Sequence, residues 1–252
     1  MVIRRPFLWL ALLALAMTPL ACSRPGASSA EPDPTASTAP GAQGCSNPLY
    51  PVVNGAQWNY ALSGMSSGTF THSIIAVRPD GFTDQDVFEG GVTRTGEWKC
   101  EAGALTALSP AESLSAMIQS DSMSSAFRTT SSSGVTLPAV VTAGTTWSQD
   151  FTIEGTQSVS GQEVEAQGDF SYSCTAAAAE PVSVPAGSFE AVRADCQISG
   201  TIKVKVAGFE VPTKLTADAK LWYAPNVGMV KTESEISGIG SNIIELTAYS
   251  IP

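Results

Sequence analysis

With 252 residues, 13 basic against 23 acidic side chains and a formal charge of −10, the chain is long enough for a sizeable core and too acidic to grip a nucleic-acid backbone. Beyond the first 21 residues the local basic pair is Lys203 with Lys205, and a lone histidine, His72, argues against a zinc site. No metal, cofactor or nucleic acid is expected.

The chain opens with an export signal. Arg4 and Arg5 precede an apolar run of 11 residues, 7–17, and Pro19, Leu20 and Ala21 lead to Cys22. A hydrocarbon core needs about 20 apolar residues, so this run is a targeting segment and not a span. Its end resembles the lipobox of bacterial lipoproteins, in which the cysteine after a small residue receives a diacylglycerol and becomes the new N-terminus. Pro19 stands where the family usually has Leu, so ordinary cleavage leaving Cys22 unmodified stays open. Arg4 to Leu8 also resembles the core of a twin-arginine signal, while the apolar run suits general secretion equally. The resemblance implies a signal peptide over 1–21, a lipid-carrying Cys22 and an extracytoplasmic, membrane-anchored protein of the cell envelope.

Setting Cys22 aside leaves Cys45, Cys100, Cys174 and Cys196, an even number suited to two disulfides in an oxidising compartment. Residues 23–44 carry no large apolar side chain, so 22–44 reads as lipidated cysteine plus disordered tether, spanning roughly 25 Å as a coil and at most about 70 Å extended. Removing Arg4 and Arg5 leaves 11 basic side chains against 23 acidic and a formal charge of −12. Anionic headgroups should repel such a domain, so the acyl anchor is its one expected membrane contact. The folded part is then 45–252, 208 residues.

From Pro48 onward, short alternating runs are punctuated by Gly, Pro, Asn and Asp every 8 to 13 residues or so, which argues for antiparallel β structure. Asn54-Gly55 predicts a hairpin joining Tyr50–Val53 to a strand carrying Trp58, Tyr60 and Leu62 on one face. Further turns at 64–68, 80–81 and 90–91 lead into strands beginning at Phe70, Phe82 and Val92. Trp147, Phe151 and Ile153 mark another strand. Ile202, Val204 and Val206 alternate with lysines, Leu215 to Leu221 alternates in the same way, and a last strand runs over 242–251. About 11 or 12 strands predict an all-β, mainly antiparallel fold: one large curved sheet, half-barrel or barrel-like, with a short helix or loop insertion.

Phe170, Tyr172 and Cys174 share a face, as do Val192, Ala194, Cys196 and Ile198, so the two sulfurs should meet in the apolar interior if the strands are neighbours. Cys45 would then pair with Cys100; mixed or free thiols remain the alternative. Residues 110–133 break the β rhythm with Ser and Met, and Leu114, Met117 and Ile118 at helical spacing predict a short helix and loop. With Met123 they could form a Met-lined flap over an apolar cavity, or simply plug the open side of the sheet.

Three patterns look chemical. Residues 64–68 satisfy Gly-x-Ser-x-Gly, but the turn leads into a strand and His72 lies only four residues on, so it reads as a hairpin turn. Asp80, Asp84, Asp86 and Glu89 lack the ordered calcium-loop pattern and read as a solvated strand face. Glu163 and Glu165 could pair as acid and base, yet in so acidic a chain they read as solvent-facing charge.

Three stretches look familiar together: Asn47 to Val53 with Gly55, Trp58 and Tyr60; Val184-Pro185-Ala186-Gly187-Ser188-Phe189; and Trp222-Tyr223-Ala224-Pro225-Asn226-Val227-Gly228. They resemble bacterial secreted proteins and lipoproteins of unassigned function and, more distantly, the curved sheets of lipoprotein carriers. The resemblance implies no catalytic residue. The expected function is a non-enzymatic, lipid-anchored binding or carrier module for an apolar small molecule, working as a monomer. One alternative is a structural or protein-interaction module of the envelope, with an exposed aromatic patch including Trp222 or Tyr223. Another is a carboxylate-based hydrolase, which needs two acids converging in a cleft.

Overall fold

The computed structural model describes residues 45–112, 123–159, 161–206 and 208–252. The chain divides into Met1–Ser37 and Thr38–Pro252, and every described residue belongs to the second unit. The signal segment, Cys22, the tether, Leu114, Met117 and Ile118 all lie outside the described residues.

Among the described residues, twelve antiparallel strands form one sheet. In chain order they are β1 (Gln57–Gly64), β2 (Gly68–Arg78), β3 (Gly81–Phe88), β4 (Thr93–Glu101), β5 (Ala104–Ala107), β6 (Met123–Gly134), β7 (Thr146–Val159), β8 (Gln162–Val184), β9 (Gly187–Val206), β10 (Phe209–Ala224), β11 (Gly228–Ile236) and β12 (Gly240–Ser250). Their spatial order is 5-4-3-2-1-12-11-10-9-8-7-6, so each strand pairs with its chain neighbour except where β1 meets β12 and where the edges fall. The two edges nearly meet: Leu105 of β5 bridges to Leu137, just past β6, with Leu105 N donating to Leu137 O at 2.9 Å. That contact covers backbone groups that an open edge would leave unpaired. The result is the expected all-β antiparallel sheet, curled to a nearly closed, barrel-like form.

Two differences from the sequence reading stand out. Asn54-Gly55 is a turn, with Gly55 at φ +83°, but Tyr50–Val53 is not a strand. Pro51 has no N–H to give a ladder, and the segment lies as a strap. Residues 110–112 are helical, whereas the supposed loop that follows contains β6, twelve residues long. Ser125 and Phe127 are buried between exposed Ser124, Ala126 and Arg128, so the period of two is present but carried by small polar side chains. Met123 opens this strand.

The apolar interior has two parts. One gathers Trp58, Tyr60, Ile74, Phe82, Leu105, Trp147, Trp222, Val230 and Leu246 with all four described cysteines. The other gathers Phe127, Phe151, Ile153, Phe170 and Ile202, with Ala111 from the helical turn. Phe151 and Phe170 are direct cross-strand partners and stack at 5.4 Å.

Candidate functional site

A cleft of about 1010 Å³ crosses β7 to β12, to which each strand gives three consecutive residues: 146–148, 173–175, 195–197, 218–220, 233–235 and 241–243. The antiparallel register builds it. Ser173 faces Gln197, Gln197 faces Asp218, Asp218 faces Glu235 and Glu235 faces Ser241, while a parallel row runs Thr175, Asp195, Lys220, Glu233, Ile243. Between the rows run Trp147, Cys174, Cys196, Ala219, Ser234 and Asn242, whose side chains alternation turns to the other face of the sheet. Four carboxylates, Asp195, Asp218, Glu233 and Glu235, therefore confront one cation, Lys220. Arg193 donates to Asp195 at 3.0 Å and Lys231 to Glu233 at 2.8 Å, whereas Asp218 receives the uncharged Gln197 amide at 3.0 Å. The cleft is acidic overall, and the negative charge is least compensated near Asp218 and Glu235.

The structure joins Cys174 to Cys196 across β8 and β9, where they are direct partners, and Cys45 to Cys100. The first disulfide lies on the buried face of the sheet, behind the two rows; the second ties the strap to β4. Trp222 is only 7% exposed, its indole N–H donating to Glu180 at 2.7 Å and Lys231 lying 5.5 Å from its ring. Tyr223 is half-buried, and burial pushes its hydroxyl well above the ordinary range. The exposed aromatic patch expected there does not form. The most exposed large apolar side chain of the described residues is instead Phe209, at 75%, where β9 turns into β10 beside Val206 and Val211.

The solvated strand face predicted for Asp84 and Asp86 is also overturned, because both are buried. They share a face of β3 with Phe82, and the ladder sets Trp58, His72, Asp86 and Arg94 in one row across β1 to β4. His72 Nδ1 lies 2.7 Å from Asp86 Oδ1, and Arg94 pairs with Asp86 Oδ2. Asp84 Oδ2 accepts the Trp98 indole N–H at 2.7 Å and the Tyr50 hydroxyl at 3.3 Å. Gly96 makes room, since a Cβ there would come within 2.3 Å of Asp84 Oδ1. Burial raises the Asp84 carboxyl above its usual range, against the lowering effect of His72. At Asp86 burial acts in the same sense, but the His72 hydrogen bond and the Arg94 charge outweigh it and hold the carboxyl low. Among the described residues no group of three or more His, Cys, Asp or Glu is placed to hold a metal ion.

The remaining chemical patterns resolve simply. Residues 64–68 turn β1 into β2, and Ser66 N bonds Asn242 Oδ1 at 3.1 Å. Glu163 and Glu165 are exposed, with Lys205 Nζ 3.6 Å from Glu165. Sequence reasoning missed the cleft carboxylates because each looks like an ordinary wet-face residue; only the register aligns them. It missed the buried acids although their parity with Phe82 was available.

A family model described as DUF3108-like matches residues 109–235, just over half of the chain. No curated protein matches. Among solved structures, a protein described as a lipoprotein from Parabacteroides distasonis is 14% identical, with a TM-score of 0.50 over 82% of this chain and 99% of its own. An exported protein with a YmcC-like fold from Bacteroides fragilis, also 14% identical, has a TM-score of 0.46 over 80% and 98%. The hypothetical lipoprotein YmcC from Escherichia coli is 9% identical, with a TM-score of 0.34 over 79% and 89%. At such identities the first of these likenesses speaks to the fold alone.

Proposed function

The chain belongs to the DUF3108-like family, and from that premise we propose that it is a lipid-anchored protein of the bacterial envelope whose β domain is a non-enzymatic binding module. Residues 1–21 direct export, Cys22 carries the lipid, 23–44 form the tether, and the domain of 45–252 holds a ligand in the cleft across β7 to β12. The carrying observation is the cleft itself, about 1010 Å³, at the upper end of what small-molecule sites offer. Its lining tempers the apolar occupant expected from sequence. On the face that carries Ile243, hydroxyls and carboxylates surround Lys220, so an elongated amphipathic molecule bearing a positive group suits it better than a bare acyl chain.

Mass spectrometry of the intact protein taken from its own membranes tests this reading. An acylated chain beginning at Cys22, with a small molecule retained under native conditions, is expected. A chain starting beyond Cys22, or empty protein from every preparation, would overturn it.

A protein-interaction module is the second reading, favoured by the exposed Phe209, Val206 and Val211. Hydrolysis is a third, since Asp218 and Glu235 oppose each other in the cleft. Turnover of a bound molecule, lost in Asp218→Asn, would establish it.

A further inference from the structure

The strap of residues 45–53 is held to β1–β5 by a disulfide, an amide and a phenol. Cys45 is bonded to Cys100; the Asn47 side-chain amide donates to the Gly103 and Pro138 carbonyls, each at 2.9 Å; and the Tyr50 ring lies 5.6 Å from Phe82, 5.6 Å from Trp98 and 6.4 Å from Trp58. The Tyr50 hydroxyl sits between His72 Nε2, at 2.8 Å, and Asp84 Oδ2, at 3.3 Å. A phenol carries one proton. With His72 Nδ1–H donating to Asp86, a hydroxyl that donates to Asp84 requires a second N–H at Nε2. A hydroxyl that donates to Nε2 instead turns a lone pair toward Asp84 Oδ2, a contact that only a proton on Asp84 makes a hydrogen bond. Both Tyr50 contacts are therefore hydrogen bonds at once only when the three groups hold one proton more than an ionised carboxylate, a phenol and a neutral imidazole supply.

Charge leads to the same count independently. The charged or titratable groups around His72 are Tyr50 from the strap, Asp84 and Asp86 from β3 and Arg94 from β4, with Tyr60 of β1 near Asp86. Ionised Asp84 and Asp86 with Arg94 and a neutral imidazole leave one uncompensated negative charge among buried side chains, a costly arrangement. One added proton makes the cluster neutral.

We propose that the Asp84–Tyr50–His72 chain keeps this extra proton at neutral pH and works as a proton-dependent latch holding the 45–53 strap against the sheet. Because burial raises the folded-state Asp84 carboxyl, the latch is complete on the acid side and released as pH rises through its midpoint. Losing the proton leaves one Tyr50 contact without a donor and restores the buried negative charge. Release would free residues 49–53, while Cys45 stays bonded to Cys100.

NMR of the full mature protein tests this, because its single histidine gives one imidazole spin system. The ring nitrogens and the Asp84 carboxyl carbon should together report one extra proton at pH 7. That proton should leave at a proton concentration at least tenfold lower than in Tyr50→Phe, with faster normalised amide exchange over 49–53 in step. A neutral imidazole beside an ionised Asp84 at pH 7, or coincident midpoints in the two proteins, would overturn the proposal. His72→Gln offers a second check. Its amide can still donate to Tyr50 but cannot titrate, so strap protection should lose its pH dependence between neutral and mildly alkaline conditions; a dependence that survives would also overturn it.

Discussion

Removing the Cys45–Cys100 disulfide should destabilise the domain more than removing Cys174–Cys196, although both are buried. The first closes a separation of 55 residues and the second one of 22. Chain entropy in the unfolded state then assigns about 4 kcal/mol to the first and about 3 kcal/mol to the second. The real gap should be wider. Cys174 and Cys196 are direct partners within the long β8–β9 ladder, which keeps them adjacent without the bond, whereas Cys45 lies in a strap with no ladder of its own. At about 2–4 °C per kcal/mol for a domain of this size, Cys45→Ala with Cys100→Ala should lower Tm by about 8–16 °C. Thermal melts and urea titrations of the two double variants, under oxidising conditions, give the comparison. The longer loop should also yield the larger rise in m-value, since its release expands the unfolded chain more. Equal losses, or a larger loss for the β8–β9 pair, would refute this reasoning.

Asp86→Ala strands His72 and Arg94 without their carboxylate and should cost about 3–5 kcal/mol, read as a urea midpoint shift. Because the folded-state carboxyl of Asp86 is held low, its contribution is present above the ordinary carboxylate range and lost as pH falls through the folded value. Asp86→Asn should accordingly flatten the acid limb of a stability profile. Gly200→Ala would set a Cβ 2.3 Å from Phe170 Cδ1, break the stack with Phe151 and cost about 1–3 kcal/mol by chemical denaturation. Phe209→Ser, far out of the core, should change stability by less than about 0.5 kcal/mol while reducing any self-association seen by sedimentation.

How far the sequence discloses this structure depends on what marks each alternation. Trp58 with Tyr60, and Leu215 through Leu221, announce their strands because large apolar residues alternate with polar ones. β6 hides, since after Met123 its one large apolar residue is Phe127, set in a run of Ser and Thr that reads as loop. Cys174 and Cys196 can be placed on matching faces from phase alone, but their adjacency depends on how β8 and β9 align. Asp84 and Asp86 show the opposite difficulty: their parity with Phe82 points inward, while the expectation that carboxylates face water points outward. Parity prevails because His72, Arg94, Trp98 and Tyr50 arrive from three other segments to satisfy them, an assembly visible only in the folded sheet. The acidic groove is likewise a product of register, bringing Gln197, Asp218 and Glu235 into line from three strands.

Native mass spectrometry of the membrane-extracted protein beside its Asp218→Asn, Glu235→Gln double variant tests the binding role most directly. Expected is a cationic small molecule retained by the wild-type chain and reduced at least tenfold in the variant, with both proteins equally folded and equally acylated at Cys22. Equal retention by the two, or an empty cleft in both, would contradict a binding module built on this acidic groove.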